Sequence, residues 1–342
     1  MHNTLDACPA PGSEACGAQA LPRPDQEDTL LQAQAVEATL RSLGAEVSLL
    51  PVSLDLAMAR QQLMERAPDV VFNLVEELAG DIRLAPLATA LVEHLGIACT
   101  GTGTAGLVLA GDKVGCKRVL LTAGVATPAW VTATDSGTFV PGRYLCKAVH
   151  EHASFGMDDT CLVDAHAVDA VRERIAACAA VHGGAWFAEQ FVDGREFNVA
   201  VLRGKNGEPV VLPPAEMLFE GFDAGRPHIV GYAAKWDTTA PEYTGTVRAF
   251  SLTENDSLCR ALVRATEACW HAFGLAGYAR VDFRVGGTGT AADPYIPYVI
   301  DVNANPCIAP DAGLAAAALE AGMTYSDLVR AVVAAAVCET RR

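Results

Sequence analysis

The chain has 342 residues, of which 51% are hydrophobic and 19% charged, with a formal net charge of −16. This composition excludes a disordered chain and fits a folded protein of two or three compact units. So acidic a chain, without runs of basic residues, lacks the positive stripe that nucleic acid requires.

Residues 1–25, rich in Ala, Pro, Gly and Cys, show no period and read as irregular. No basic-then-apolar segment of the signal-peptide kind is visible in them. A helix is expected over 29–43, ending at Gly44. A strand near 46–50, a helix over 55–66, a strand over 70–74 and a helix over 84–95 follow. This alternation predicts a parallel sheet covered by helices, with ligands at the carboxyl ends of its strands, where Glu76 and Glu77 lie.

Residues 104–186 read as a second unit. A helix begins at Asp112 and Lys113, and Pro128 marks the passage from helix to strand. A strand spans 143–148, a polar glycine-containing loop 149–157 and an amphipathic helix 165–181. From 187 onward come a strand–turn–strand at Asp193-Gly194, further antiparallel strands, a helix over 254–273, two apolar strands and terminal helices. No run reaches the length of a membrane helix. The 11 cysteines include no CxxC pair and read as reduced core residues, so a cytoplasmic protein touching neither membrane nor nucleic acid is expected.

The most informative stretches are YARVDFR at 278–284 and YVIDVNANP at 298–306. In the first, Val281, Phe283 and Val285 alternate with Arg280, Asp282 and Arg284, which puts the three charges on one face of a buried strand. The second ends in Asp301 and Asn303. Two carboxylates and an amide oxygen at strand ends form a hard-oxygen ligand set suited to magnesium carrying nucleotide phosphates. Arg280 beside them could neutralise a transferring phosphoryl group or an oxyanion.

The pattern resembles the ATP-grasp enzymes, specifically the relatives of D-alanine–D-alanine ligase. Further segments match in order: DVVFNLVE at 69–76, GIACTGTG at 96–103, GDKVGCK at 111–117, EQFVDGREFNV at 189–199 and AGMTYSDL at 321–328. Each is weak alone, and their order is what makes the resemblance specific. It implies an α/β (α+β) ATP-grasp fold with an N-terminal parallel α/β domain (1–103), a small central domain (104–186) and a C-terminal antiparallel-sheet domain carrying the metal site (187–342).

The resemblance also implies roles. Lys113 and Lys147 would hold the phosphates, although alone Lys113 would read as a helix-start salt bridge and Lys147 as an edge-strand lysine. HEHASFGM at 150–157 would be the phosphate-covering loop, with Ser154 at the phosphates and His152 near substrate. Glu189, the backbone of Gln190 and Val192, and Phe191 would form the adenine hinge, and Glu196 would accept from the ribose. Lys235 and Trp236 would stand beside the phosphates, with tryptophan in place of the family's tyrosine. Arg280 would be the transition-state cation. Asp282, Asp301 and Asn303 would hold two Mg2+ ions, with Mn2+ able to stand in, and Asp301 is one methylene shorter than the usual glutamate.

The departures cluster at the substrate end. The first strand with its ammonium-binding acid is not recognisable. Glu76 replaces a loop histidine, Cys307 a glycine and Ala312 a serine; Arg284 is a further candidate for the substrate wall. Cys307 could be a nucleophile but has no assignable histidine partner, so a wall position is expected. The expectation is an ATP-dependent carboxylate–amine ligase working through an acyl phosphate, a homodimer, acting on an amino acid or small peptide other than a D-alanine pair. A D-alanine–D-alanine ligase with unusual recognition and a non-catalytic ATP-binding protein are the alternatives.

Overall fold

The computed structural model describes residues 1–3, 24–151, 154–222, 225–254 and 256–340. It is a mixed α/β structure with parallel pairing at the amino-terminal end and antiparallel sheets beyond.

The first part contains β1 (His2–Asn3), α1 (Pro24–Ser42), β2 (Pro51–Val52), α2 (Leu56–Arg66), β3 (Val70–Val71), α3 (Pro86–His94) and β4 (Ala98–Cys99). β1 pairs in parallel with β2, and β3 with β4. A parallel bridge from His2 to Leu74 joins the two pairs. The expected parallel sheet is therefore present, with two corrections. His2 and Asn3 are buried strand residues rather than irregular chain, and a strand of two residues has no period to read. The pairing expected at 46–50 occurs instead at Pro51–Val52, because β1 is too short to pair further back. Asp55 caps α2 by accepting from the Met58 N–H at 3.0 Å.

Next come α4 (Thr104–Ala110), α5 (Lys113–Thr122), β5 (Trp130–Thr132), β6 (Gly142–Ala148), β7 (Leu162–Ala165), α6 (Val168–His182) and β8 (Trp186–Gln190). The four strands form an antiparallel sheet in the order β5–β8–β6–β7. Val171, Ile175 and Cys178 of α6 pack on Tyr144, Cys146 and Ala188 of this sheet. The helix starts later than expected because residues 162–165 are used to extend the sheet as β7.

The remainder holds β9 (Arg195–Arg203), β10 (Pro209–Val211), β11 (Ala215–Phe219), α7 (Tyr232–Trp236), α8 (Pro241–Gly245), β12 (Thr246–Ala249), α9 (Ser257–Ala272), β13 (Tyr278–Gly286), β14 (Ile296–Asn303), α10 (Gly313–Glu320) and α11 (Tyr325–Thr340). Six strands form one antiparallel sheet in the order β12–β11–β9–β13–β14, with β10 also on β9. Phe197, Val199, Val281, Phe283 and Val299 on one face pack against Leu258, Leu262, Cys269 and Trp270 of α9. Each such large side chain contributes about 1.5–3 kcal/mol by burial. The opposite face is polar and carries the site. No single helix among the described residues is long and apolar enough to cross a membrane.

The GTG turn at 101–103 is tied into this sheet. Gly277 has φ +63°, and a Cβ there would stand 2.8 Å from the Gly101 nitrogen. Thr102 N–H donates to Asn305 at 3.0 Å. These contacts bring the carboxyl end of the parallel sheet against the start of β13 and the end of β14.

Candidate active site

Strand register arranges the polar face. Asn198 on β9 lies opposite Asp282, which lies opposite Asp301 on β14; Arg280 lies opposite Asn303, and Arg284 opposite Glu196. The alternation in β13 thus places Arg280, Asp282 and Arg284 on one face, all bordering a cavity of about 930 Å3. A register shift between Asp282 and Phe283 bulges the partner strand, so that Ile300, Asp301, Val302 and Asn303 all reach the cavity wall.

Asp282 is the hub of this face. Arg280 donates to it through Nε at 2.7 Å and Nη2 at 2.9 Å. Asn198 Nδ2 donates at 2.9 Å and Asn303 Nδ2 at 3.1 Å. These four N–H groups use the acceptor capacity of the carboxylate. Burial disfavours charge on Arg280, but Asp282 and then Asp301 outweigh it and hold the guanidinium firmly protonated.

Because Asn303 turns its nitrogen to Asp282, its oxygen is the atom left to meet a cation. Asp301 also borders the cavity. Among the described residues no three His, Cys, Asp or Glu side chains form a preformed cation cage. The donor set of Asp301 and the Asn303 oxygen fits Mg2+, which takes few protein ligands and completes its shell with water and phosphate oxygens. Asp282 could join them only by releasing one of its hydrogen bonds.

A second charged cluster sits across the cavity on the four-stranded sheet. Leu145 is paired with Glu189 and Phe187 with Lys147, so Lys147 and Glu189 are diagonal neighbours on one face. Lys147 Nζ is 2.5 Å from Glu189 Oε1, and Lys117 Nζ from α5 is 2.7 Å from Oε2. Burial pushes the Glu189 carboxyl pKa up, yet the two ammonium groups outweigh it and hold the group below its ordinary value. Lys147 borders the cavity, whereas Lys117 lies behind it, where burial lowers its pKa against the pull of Glu189. The Glu189 carboxylate is committed to the two lysines, not presented to a base edge as expected.

Lys113 is placed by capping. Asp112 accepts from the Val114 and Gly115 N–H groups, each at 3.0 Å, which fixes the first turn of α5. Lys113 Nζ then donates to the Glu151 carbonyl at 2.6 Å, tying α5 to the 149–157 loop. Ser154 borders the cavity with φ +60° and donates to the Val230 carbonyl at 2.8 Å. His152 lies outside the described residues.

Gln190, Phe191, Val192 and Glu196 line the cavity around the strand–turn–strand. The turn is tight: a Cβ on Gly194 would lie 2.0 Å from the Val285 carbonyl oxygen. Arg284 locks it, donating to the Val192 carbonyl at 2.9 Å, the His228 carbonyl at 2.7 Å and Glu196 at 3.0 Å, with its guanidinium 4.8 Å from the Phe191 ring centre. Arg284, a candidate for the substrate wall from the sequence, is thus tied by β9–β13 register to the Asp193-Gly194 strand–turn–strand. Among the described residues its Nη2 is a buried donor without a partner, which an acceptor atom of a ligand would satisfy.

Lys235 and Trp236 on α7 border the cavity. The Lys235 side chain is open to it, and its pKa is lowered by desolvation among the walls and by Arg280, against Asp282, Asp301 and Glu196. At the far wall stand Glu76, Cys307 and Ala312, together with Asn3, Glu77 and Arg248. Asn3 accepts from the Glu76 N–H at 2.9 Å, so β1 orders the loop carrying both glutamates. Sequence reading missed Asn3, Lys117, Asn198 and Arg248. Lys117 was visible within the GDKVGCK segment, one turn after Lys113; the others depend on register.

The D-ala D-ala ligase C-terminus family model matches residues 143–334, more than half of the chain. An uncharacterized protein of Sinorhizobium fredii is 28% identical, with 88% of this chain and 86% of that protein covered. The D-alanine–D-alanine ligase of Anaeromyxobacter dehalogenans is 27% identical, with 90% and 92% covered. Among solved structures, the D-alanine–D-alanine ligase of Bacillus anthracis complexed with ATP superposes with a TM-score of 0.66 at 20% identity, over 93% of this chain and 95% of that one, which shows the shared fold.

Proposed function

The chain belongs to the D-alanine–D-alanine ligase-like ATP-grasp family, and from that premise we propose an ATP-dependent carboxylate–amine ligase acting through an acyl phosphate. The observation that carries this reading is the convergence of Lys113, Lys147, Lys235, Arg280, Asp301 and Asn303 on one cavity that also contains the Glu196–Arg284 hinge.

Adenine would lie against Phe191 and the 190–192 backbone, with ribose at Glu196 and the orphan Arg284 Nη2 supplying a donor. Lys147, held in place by Glu189, and Lys113 would face the phosphates. Ser154 and the 149–157 loop would exclude water, which would otherwise hydrolyse the acyl phosphate. Arg280, aimed by Asp282, would stabilise the phosphoryl group as it passes to the substrate carboxylate, and then the oxyanion formed when an amine attacks. Asp301 and the Asn303 oxygen, joined by Asp282 on release of one of its hydrogen bonds, would hold two magnesium ions, which when bound neutralise phosphate charge. Products would be an amide, ADP and phosphate. The same reading carries small amino-acid or peptide substrates other than D-alanine pairs, a homodimer and a cytoplasmic location.

The test is ADP release from ATP and magnesium across a panel of L- and D-amino acids. Turnover with some pair, abolished in Asp301→Ala while nucleotide binding weakens only in part, supports the ligase. No acceptor-dependent ADP release from the whole panel would overturn it and leave an ATP-binding protein without turnover. A D-alanine–D-alanine ligase remains the second reading, favoured by the 27% identity to the Anaeromyxobacter enzyme of that name; efficient D-alanyl-D-alanine synthesis would establish it.

A further inference from the structure

Arg284 is committed through two of its nitrogens and free at the third. It is only 4% exposed and stands on β13 opposite Glu196 on β9. Nε donates to the Val192 carbonyl, and Nη1 donates both to Glu196 and to the His228 carbonyl. Nη2 has no acceptor among the described residues, and the surrounding atoms shield it from water. A buried donor left unpaired costs free energy, so this atom calls for an acceptor that a ligand can bring. Arg284 borders the cavity together with Phe191, Val192, Glu196 and His228.

His228 opens a strap that touches both antiparallel sheets. Its ring stacks on Phe219 of β11 with the centroids 4.9 Å apart. The next residue, Ile229, is buried in the core of the four-stranded sheet. The Val230 carbonyl accepts from Ser154 at 2.8 Å, and the Tyr232 N–H donates to the Met157 carbonyl at 3.0 Å. Glycine at 231 permits this approach, because a Cβ there would stand 2.8 Å from the same Met157 oxygen. α7 begins at Tyr232 and carries Lys235. Arg284 therefore holds the start of a strap that is pinned along its length to the 149–157 loop and that ends in Lys235. A guanidinium is a rigid plane, so a shift imposed at Nη2 is passed to Nη1 and the His228 carbonyl.

We propose that Arg284 is a positioning residue: its Nη2 donates to a ring nitrogen of the nucleotide's base, and that bond fixes the strap through His228, so that Lys235 and the 149–157 loop take their working places only over the right base. A guanidinium can only donate, and a purine ring nitrogen without hydrogen can only accept. The base is favoured over the ribose because the Arg284 guanidinium is shared with Phe191 and the Val192 carbonyl, which the proposed function gives to the base, while the ribose hydroxyls have Glu196. The contact presupposes the nucleotide-binding reading of the cavity and extends it: the base serves turnover as well as binding, as remote parts of a substrate can.

The test compares ATP with 3-deaza-ATP, 7-deaza-ATP and 2′-deoxy-ATP on the full chain with magnesium. Each deaza analogue exchanges one ring nitrogen for C–H and so removes one acceptor. Thermal shift reads binding, hydrogen exchange of the 228–236 amides reads the strap, and ADP release reads turnover. In the wild type one deaza analogue should bind about tenfold more weakly than ATP, leave the 228–236 amides exchanging as in the free protein, and lower kcat at saturation about tenfold. Arg284→Met, which keeps the packing on Phe191 without the donors, should bind ATP and that analogue alike and gain no strap protection from either. The wild-type comparison does not depend on that variant folding. Equal binding and equal protection by ATP and both deaza analogues would overturn the contact and leave the nucleotide reading in place, as would a deaza preference that survives in Arg284→Met. A deaza analogue that binds weakly but leaves kcat and strap protection as with ATP would overturn the positioning role. Loss of the 2′-deoxy preference alone in Arg284→Met would assign Nη2 to the ribose and overturn the base contact. Absence of any shift with ATP itself would sink the nucleotide reading and the contact together.

Discussion

The end of the cavity that the proposed function gives to the nucleotide and its far wall are built on different principles. At the first, Lys147, Glu189, Glu196, Asp282 and Arg284 stand on strands of five to nine residues and are held to neighbouring strands by ion pairs or, for Asp282, by hydrogen bonds. At the second, Asn3 comes from a strand of two residues, Glu76 from a loop, and Arg248 from an edge strand of four. Groups that must meet a fixed reaction geometry sit on rigid, mutually constrained elements. The groups that the proposed reading gives to the substrate sit on short pieces, Asn3 and Glu76 being joined to each other and Glu76 to Gln32. One end can then stay constant while the other is rebuilt.

Breaking the rigid end at its centre should have the largest effect. Arg280→Ala strips two donors from Asp282 and, under the proposed function, removes the cation aimed at the transferring phosphoryl group. We expect ADP formation to fall by about 10³-fold or more. Arg280→Lys should recover little of it, because an ammonium cannot reproduce the two-pronged contact that fixes Asp282. Turnover within tenfold of wild type in Arg280→Ala would remove the residue from the chemistry.

The lysine–glutamate cluster tests whether that end is also structurally essential. Glu189→Gln leaves Lys117 and Lys147 buried together without their anion, and should cost about 3 kcal/mol of unfolding free energy. The sign with pH follows from the depressed carboxyl. Its contribution is present above the ordinary value of 4.5 and is lost as pH falls through the lower folded value. Denaturant titrations from pH 7 downward should show wild-type stability declining below about pH 4.5, with the variant weaker at neutral pH and flatter there. An unchanged midpoint would show that the two lysines need no anion.

How far each end was legible follows from the same contrast. The alternation of Arg280, Asp282 and Arg284 predicted a polar face, and the structure has it, because a nine-residue strand buried on its other face permits only one phase. The order of matched segments marked the family without any knowledge of contacts. Asn3 gave no signal, since a two-residue strand carries no period. Which of the three charges on that face meets Glu196 is set by β9–β13 register, which composition does not carry. Arg248 stayed hidden for a related reason: its place depends on β11–β12 register across an intervening stretch that contains α7 and α8.

The far wall should be tested by what it rejects. Glu76 and Ala312 replace groups that the resemblance assigns to D-alanine, and each buried polar group of a substrate left unpaired costs about 1–3 kcal/mol. A combined loss of about 2 kcal/mol would lower kcat/KM for D-alanine roughly 30-fold relative to the preferred acceptor. Competition between D-alanine and the best member of the panel, with the dipeptides quantified, measures this ratio directly. D-alanine as the best substrate would mean that the far wall has kept its selectivity by other residues.

The smallest effect is expected where the two ends are farthest apart in function. Glu196 borders the cavity and is paired with Arg284 at 3.0 Å. Glu196→Ala would remove a ribose acceptor, but Arg284 would keep its bonds to the Val192 and His228 carbonyls, so the hinge should hold its shape. A hydrogen bond made equally in ground and transition states changes binding and not the chemical step. The KM for ATP should therefore rise about tenfold, corresponding to about 1.4 kcal/mol, with kcat and the KM of the amino-acid substrate unchanged within twofold. 2′-Deoxy-ATP sharpens the test, because the wild type should lose affinity for it while the variant should not distinguish it from ATP. A rise confined to the amino-acid KM would place Glu196 on the substrate wall and erase the division between the two ends.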